Sequence, residues 1–175
     1  MALTKINNNT LSAITGLPAA IATGKVLQVV QTVKTTDFSS STSSGTAIDI
    51  TGLSAAITPS STSNKILISY DVYSSSTTSG TKIQLMRDST KICINTSTSG
   101  FEAQTSIAGV GTTNAQFVMS YSFLDSPSST SSITYKPQIS HSSGGTQTIY
   151  VNRPESTSAN HGRFTSQITL MEVAG

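Results

Sequence analysis

Charge is scarce in this chain. Lys, Arg, Asp and Glu together make up 10% of its 175 residues, where a soluble domain ordinarily carries about a quarter. Tryptophan is missing and cysteine occurs once, at Cys93. No intrachain disulfide can form, and a thiolate metal site would lack companions, so Cys93 is expected to be a small buried or half-buried residue and no cofactor is expected. Apolar runs are a handful of residues long, far short of the roughly 20 that cross a bilayer, which argues against membrane insertion. The net charge of +2 is scattered, and no basic stripe is interleaved with aromatics, so nucleic acid is not an expected partner. The opening residues, Met1-Ala2-Leu3-Thr4-Lys5-Ile6-Asn7, show no basic stretch leading into an apolar core, and no secretory signal is expected.

What the chain has instead is hydroxyl groups. Serine and threonine account for 60 of the 175 residues, so hydroxyls rather than charges must keep the surface wet. Between them run short alternations such as Ile66-Leu67-Ile68-Ser69-Tyr70-Asp71-Val72-Tyr73. Threonine suits a pleated surface and serine suits turns. The mixture points to an all-β protein of an extracellular or virion surface rather than to a cytosolic enzyme. Without an export signal, it suits a protein released by lysis or carried on a particle.

Residues 1–24 read differently from the rest. Asn7-Asn8-Asn9-Thr10 is polar and turn-like, and Ile6, Leu11, Ile14, Leu17 and Ile21 are sparse apolar anchors around a Gly16-Leu17-Pro18 break. Such a segment has too little apolar surface to fold alone. It is read as an extended arm whose five anchors bind a partner, for docking or for oligomerisation. Residues 25–175 form the second unit, a single antiparallel β-sandwich.

In that unit, strands are expected at Val26–Val33, Ala47–Ile50, Leu53–Ile57 and residues 65–73, where Ile66, Ile68, Tyr70 and Val72 share one face. Ser39 to Gly45 is read as a serine-rich loop. Lys82–Arg87 and Lys91–Ile94 flank Asp88-Ser89-Thr90 as a hairpin. A weaker strand is expected within Phe101–Val110. In Ala115–Leu124 the odd positions Phe117, Met119, Tyr121 and Phe123 make a heavy apolar face. Further strands are Ile133–Ile139, Thr148–Asn152 and Phe164–Met171. Nine or ten strands with turn signals between them, and no sustained helical period, argue for a sandwich with a jelly roll as the expected topology.

The inventory for catalysis is thin. His141 and His161 fall in loop-like contexts and are expected to be exposed. Asp49, Asp71, Asp88, Asp125, Glu102, Glu155 and Glu172 cannot be paired from sequence alone, and a glycosidase needs such a pair. No Gly-x-Ser-x-Gly elbow, phosphate loop or zinc spacing is present. Arg87 and Arg153 flank turns, where the stem is expected to cover apolar surface and the head to stay solvated. Tyr73 is out of phase with Tyr70, so one of them should face away from the core and offer a subunit contact.

The string Gly24-Lys25-Val26-Leu27-Gln28-Val29-Val30-Gln31-Thr32-Val33-Lys34-Thr35 resembles the opening of a small β domain found in structural proteins of tailed bacteriophages, marine and cyanobacterial phages especially. Further elements follow in order: Ile50-Thr51-Gly52-Leu53-Ser54, Ile57-Thr58-Pro59-Ser60-Ser61, Ser63-Asn64-Lys65-Ile66-Leu67-Ile68, Leu85-Met86-Arg87-Asp88-Ser89-Thr90, Phe123-Leu124-Asp125-Ser126-Pro127 and Val151-Asn152-Arg153. The resemblance spans Gly24 to the C-terminus and implies a virion location without a catalytic motif; display on the virion surface is the expectation. The expectation is a non-enzymatic tail-fibre or adhesin protein, displayed as a homotrimer. Its partners would be its own copies, other virion proteins of tail or capsid, and a host surface glycan or protein. Two alternatives stand beside it: a capsid decoration protein that binds the head through its arm, and a glycan-degrading enzyme.

Overall fold

In the computed structural model, residues 25–75, 80–95, 105–107, 115–142, 144–158 and 160–175 are described. The arm over residues 1–24, with Ile6, Leu11, Ile14, Leu17 and Ile21, lies outside them. So does most of the weak strand expected within Phe101–Val110.

Every regular element among the described residues is a strand. In chain order they are β1 (Val26–Lys34), β2 (Phe38–Ser43), β3 (Ile48–Asp49), β4 (Ala55–Ile57), β5 (Lys65–Ser75) and β6 (Thr81–Arg87). The second half contributes β7 (Thr90–Ile92), β8 (Thr105–Ile107), β9 (Phe117–Asp125), β10 (Ile133–His141), β11 (Thr146–Val151) and β12 (Ser166–Val173). All pairings are antiparallel, and they make two sheets packed as a sandwich.

The first sheet runs β1-β12-β5-β9, and the second runs β4-β10-β6-β8, with β3 beside β4 on β10 and β7 beside β8 on β6. Setting aside β2, β7 and β11 and taking β3 with β4, the strands follow the order 1-8-3-6 in one sheet and 2-7-4-5 in the other. That is the connectivity of an eight-stranded jelly roll. The β2–β11 pair is an addition. Ser74 of β5 faces Phe117 of β9 on one edge and Val151 of β11 on the other, so β11 takes over the edge of β5 that β12 leaves after Asp71. Pro137 has no N–H to give a ladder, and it sits at the break between β4 and β3 where that edge of β10 is open.

Alternation along β5 builds the core. Ile66, Ile68, Tyr70 and Val72 point inward and are at most 2% exposed. Leu170 and Ile168 continue the layer on β12, and Ile83, Leu85, Tyr135 and Ile139 face it from the second sheet.

Three expectations are corrected. Ser39–Gly45 is not a loop, because Phe38–Ser43 pairs along β11 in full register. Its hydroxyls replace the missing apolar residues: Ser41 and Thr148 hydrogen-bond across the strands at 2.9 Å, and buried Thr42 donates to the Thr46 carbonyl at 3.0 Å. The apolar face of β9 is only partly core. Met119 is 2% exposed, but Phe117 and Tyr121 are 36% and 37% exposed, because β9 is the outermost strand of its sheet. His141 is not an exposed loop residue; it ends β10 fully buried, with Nε2 2.7 Å from the Thr42 carbonyl.

Truncating the two kinds of site separates core from rim. Leu170→Ala should cost about 2–5 kcal/mol in denaturant unfolding. Phe117→Ala should cost about 1 kcal/mol or less, and a larger loss would place that ring inside the sandwich.

Candidate functional site

Several acidic side chains are engaged within the fold. Glu172, 1% exposed, accepts from Gln28 Nε2 at 2.6 Å, Ser60 N at 2.6 Å, Ser60 Oγ at 2.7 Å and Asn64 Nδ2 at 2.6 Å. Burial pushes its pKa up, but the hydrogen bonds outweigh burial and hold it at about 2. Asp125 takes Arg87 Nη1 on both oxygens, at 3.1 and 2.9 Å, and the buried Tyr135 hydroxyl at 2.7 Å. Burial and then that bond to Asp125 raise the Tyr135 pKa. Arg87 therefore clamps a carboxylate rather than staying solvated. Asp49 is held by Lys136 at 2.6 Å and Gln138 at 2.7 Å, which lower its pKa. Asp88 closes the β6–β7 turn at φ 52° and accepts from Thr134 N at 2.9 Å. Asp37 pairs with Arg163. Among the described residues no group of three His, Cys, Asp or Glu side chains gathers to hold a metal.

The other pole of the molecule is the outer face of the first sheet. Residues directly opposite in an antiparallel pair share a face, so the register sorts that face into rows. One row is apolar: Val29, Met171, Leu67 and Leu124 across β1, β12, β5 and β9. The next, Gln31, Thr169, Ser69 and Ser122, is polar and uncharged, with Gln31 donating to Thr169 at 3.0 Å and Ser69 bonded to Ser122 at 3.0 Å. The third is Val33, Gln167, Asp71 and Ser120. In it Asp71 accepts from both Ser120 Oγ and Gln167 Nε2. Val29 is 57% exposed and Leu124 46% at the two edges of the apolar row, with Met171 and Leu67 half-buried between them; Val33 in the third row is 46% exposed, and Val118, opposite Tyr73 in the row beyond, 47%.

Beyond the third row the face dips into a recess of about 370 Å³ lined by Asp71, Tyr73, Arg163, Phe164, Thr165 and Gln167. Two of the lining rings, Tyr73 and Phe164, are stacked with centroids 4.8 Å apart and planes 10° from parallel. Tyr73 is thus the tyrosine that faces away from the core, as its phase against buried Tyr70 predicts.

The recess is set by a buried asparagine. Asn152 is fully buried at φ 63°, a left-handed conformation that asparagine tolerates better than most residues. Its Nδ2 donates to the carbonyls of Lys34 at 2.8 Å and Thr36 at 3.1 Å, and its Oδ1 accepts from Ser166 Oγ at 2.6 Å. Its backbone N donates to the Tyr73 carbonyl at 2.9 Å, and its carbonyl accepts from Phe164 N at 3.2 Å. Ser166 Oγ also accepts from Tyr73 N at 3.1 Å. Through its side chain and its backbone together, this one residue therefore joins the ends of β1, β5, β11 and β12, and its backbone holds those of Tyr73 and Phe164. Arg153 beside it lies 5.0 Å from the Tyr150 ring centroid and donates to the Pro154 and Glu155 carbonyls, each at 3.0 Å, so it too is used within the fold.

The phase of Tyr73 against Tyr70 is legible in the sequence, but its companions are not: Arg163 and Phe164 lie far from Asp71 and Tyr73 in the chain and meet them only because β12 pairs with β5. Cys93 is half-buried at φ 55°, with its thiol 3.6 Å from the Tyr121 hydroxyl.

No family model and no curated protein matches the chain. Similarity appears among solved viral structures. VP2 of infectious bursal disease virus in derived T=1 particles is 17% identical at a TM-score of 0.43, covering 84% of this chain and 36% of that one. A second T=1 particle structure of that virus gives 15% and 0.44 over the same shares. The Gt strain structure gives 14% and 0.39, covering 99% of this chain and 54% of that one. The chain thus spans between 36% and 54% of the length of these structures.

Glu172 generates a pH prediction. Its folded pKa of about 2 lies below the ordinary 4.5, so its contribution is complete above pH 4.5 and lost as pH falls towards 2. Glu172→Gln should cost about 2–4 kcal/mol at pH 7, and the gap from wild type should close over that window. A gap that holds constant down to pH 2 would contradict the carboxylate's role.

Proposed function

We propose that this chain is a non-enzymatic structural protein of a virion, of tail-fibre or adhesin type, displayed on the particle surface as a homotrimer. The observation that carries the reading is a division of labour. Six acids, Asp37, Asp49, Asp71, Asp88, Asp125 and Glu172, are committed to hydrogen bonds or ion pairs within the fold, while one sheet face leaves an apolar row open. Such a surface is suited to contact rather than to reaction. The resemblance of the Gly24–Thr35 string and its successors to tailed-phage structural proteins supports the virion setting.

The occupant of the apolar row is a copy of the same chain. The rows through Val29 and Gln31 hold no charged side chain, so a second copy laid against them meets no like charge. β1 is also an edge strand whose outer side has no partner among the described residues. A nine-residue edge rich in valine and free of proline is the type that seeks another strand. A capsid-decoration role is the second reading. It is favoured by the position of the apolar row near the start of β1, the end at which residues 1–24 join the body, so that arm and body could rest on one support.

Two measurements test this. Labelled protein imaged on particles should give density at the tail for a fibre or adhesin and on the head for decoration; absence from the particle would overturn the virion role. Val29→Asp with Leu124→Asp, both at exposed positions, should convert the trimer to monomer by sedimentation while the melting temperature of the body changes by a few degrees. An unchanged mass would remove the row from the interface.

A further inference from the structure

We infer that the recess beside Asp71 is a saccharide-binding site. This deepens the adhesin reading by naming a ligand class and a place, and it rests on that reading only for where the sugar would be met.

Phe164 is 43% exposed although one face of its ring is covered by Tyr73, so part of the ring is open to a ligand. Gly162 keeps the tip of that ring clear: a methyl group at 162 would meet Cε2 and Cζ at 3.4 Å. Next to the ring stands the Asp71 carboxylate. Ser120 and Gln167 occupy one site on each of its oxygens, and an ionised carboxylate has about four such sites, so two remain to accept from a ligand. Arg163 adds guanidinium donors beyond those it spends on Asp37.

A pyranose matches this set. Its C–H face lies on an aromatic ring, its hydroxyls donate to a carboxylate, and its oxygens accept from arginine and glutamine. Other classes fit worse. A phosphate would meet two aspartates, Asp71 and Asp37, against the single arginine. A purely apolar ligand would strip water from Asp71 and Gln167 without replacing it, which is costly. The volume of about 370 Å³ lies at the small end for ligand pockets and suits one or two sugar rings rather than a long chain. The recess is also held in place before any ligand arrives. Asn152 and Ser166 fix the backbones of Tyr73 and Phe164 from inside the fold, so little ordering remains to be done on binding. Along β5 the recess begins about 13 Å from the apolar row at Leu67, at Asp71, and reaches about 20 Å, at Tyr73, so assembly through that row leaves it accessible.

The test is a two-dimensional amide NMR titration of the full chain with methyl glycosides of glucose, galactose, mannose and N-acetylglucosamine, and with inorganic phosphate in parallel. At least one glycoside should shift the amides of Tyr73, Arg163, Phe164, Thr165 and Gln167. Phe164→Ala and Asp71→Asn should each weaken that binding about tenfold or more, with the rest of the spectrum unchanged. Gly162→Val, which crowds the ring without removing a hydrogen bond, should weaken it too and keeps the test open if either other variant misfolds. No shift with any glycoside, shifts that survive all the substitutions, or a response to phosphate alone would overturn the inference. Particle imaging separates it from the broader reading: a chain present on the particle that binds no sugar loses this site and keeps its structural role.

Discussion

Strand β12 is held at both ends by buried polar groups that have no water to turn to. At its start, Ser166 and Asn152 tie it to the carbonyls of Lys34, which ends β1, and of Thr36 just after it, and to Tyr73 on β5. Near its end, Glu172 gathers Gln28 from β1 with Ser60 and Asn64 from the loop before β5. Leaving any of these groups unpaired inside the protein costs about 1–3 kcal/mol, more for a charge. The register of β1, β12 and β5 is therefore fixed by more than alternation of apolar residues. A one-residue slip would turn the core face outward and also strand a carboxylate and an amide in the interior.

That constraint organises the outside of the sheet. With β12 locked, Val29, Met171, Leu67 and Leu124 line up as one row, and Asp71, Gln167 and Ser120 as another. The same Asn152 that closes the interior presents Phe164 to Tyr73. The layout of this surface is thus a consequence of how buried polar residues such as Asn152, Ser166 and Glu172 are satisfied. Hydroxyls and amides do much of the bonding that charges do elsewhere, as in the Ser69–Ser122 and Ser41–Thr148 pairs across strands. A chain with so few charges has little electrostatic repulsion to keep its copies apart.

Much of the sandwich was legible in the residues. The period of two in Ile66–Tyr73 marks β5 and its inward face, and Asp88-Ser89 marks the β6–β7 turn. What stayed hidden has physical causes. Phe38–Ser43 carries one apolar residue, so its strand character comes from the partner β11 and not from its own pattern. Phe117 reads as core because alternation reports a face, not whether anything covers it. His141 sits among serines and reads as a loop, yet the β6 ladder runs to its end and buries it. The recess could not be read at all, because Asp71 and Phe164 become neighbours only through the β5–β12 register. The arm with Ile6, Leu11, Ile14, Leu17 and Ile21 remains a proposal from composition.

Residue-by-residue amide hydrogen exchange tests the pinning of β12 most directly. The amides of Tyr73, Asn152 and Phe164 at one end, and of Ser60 at the other, each donate to a partner in these two buried clusters. The account predicts that they exchange as slowly as Ile68 and Leu170 in the middle of the sheet. Exchange of these end amides at the rate of exposed turn residues, with the sheet centre still protected, would show that the strand frays and that the buried clusters do not hold the fold.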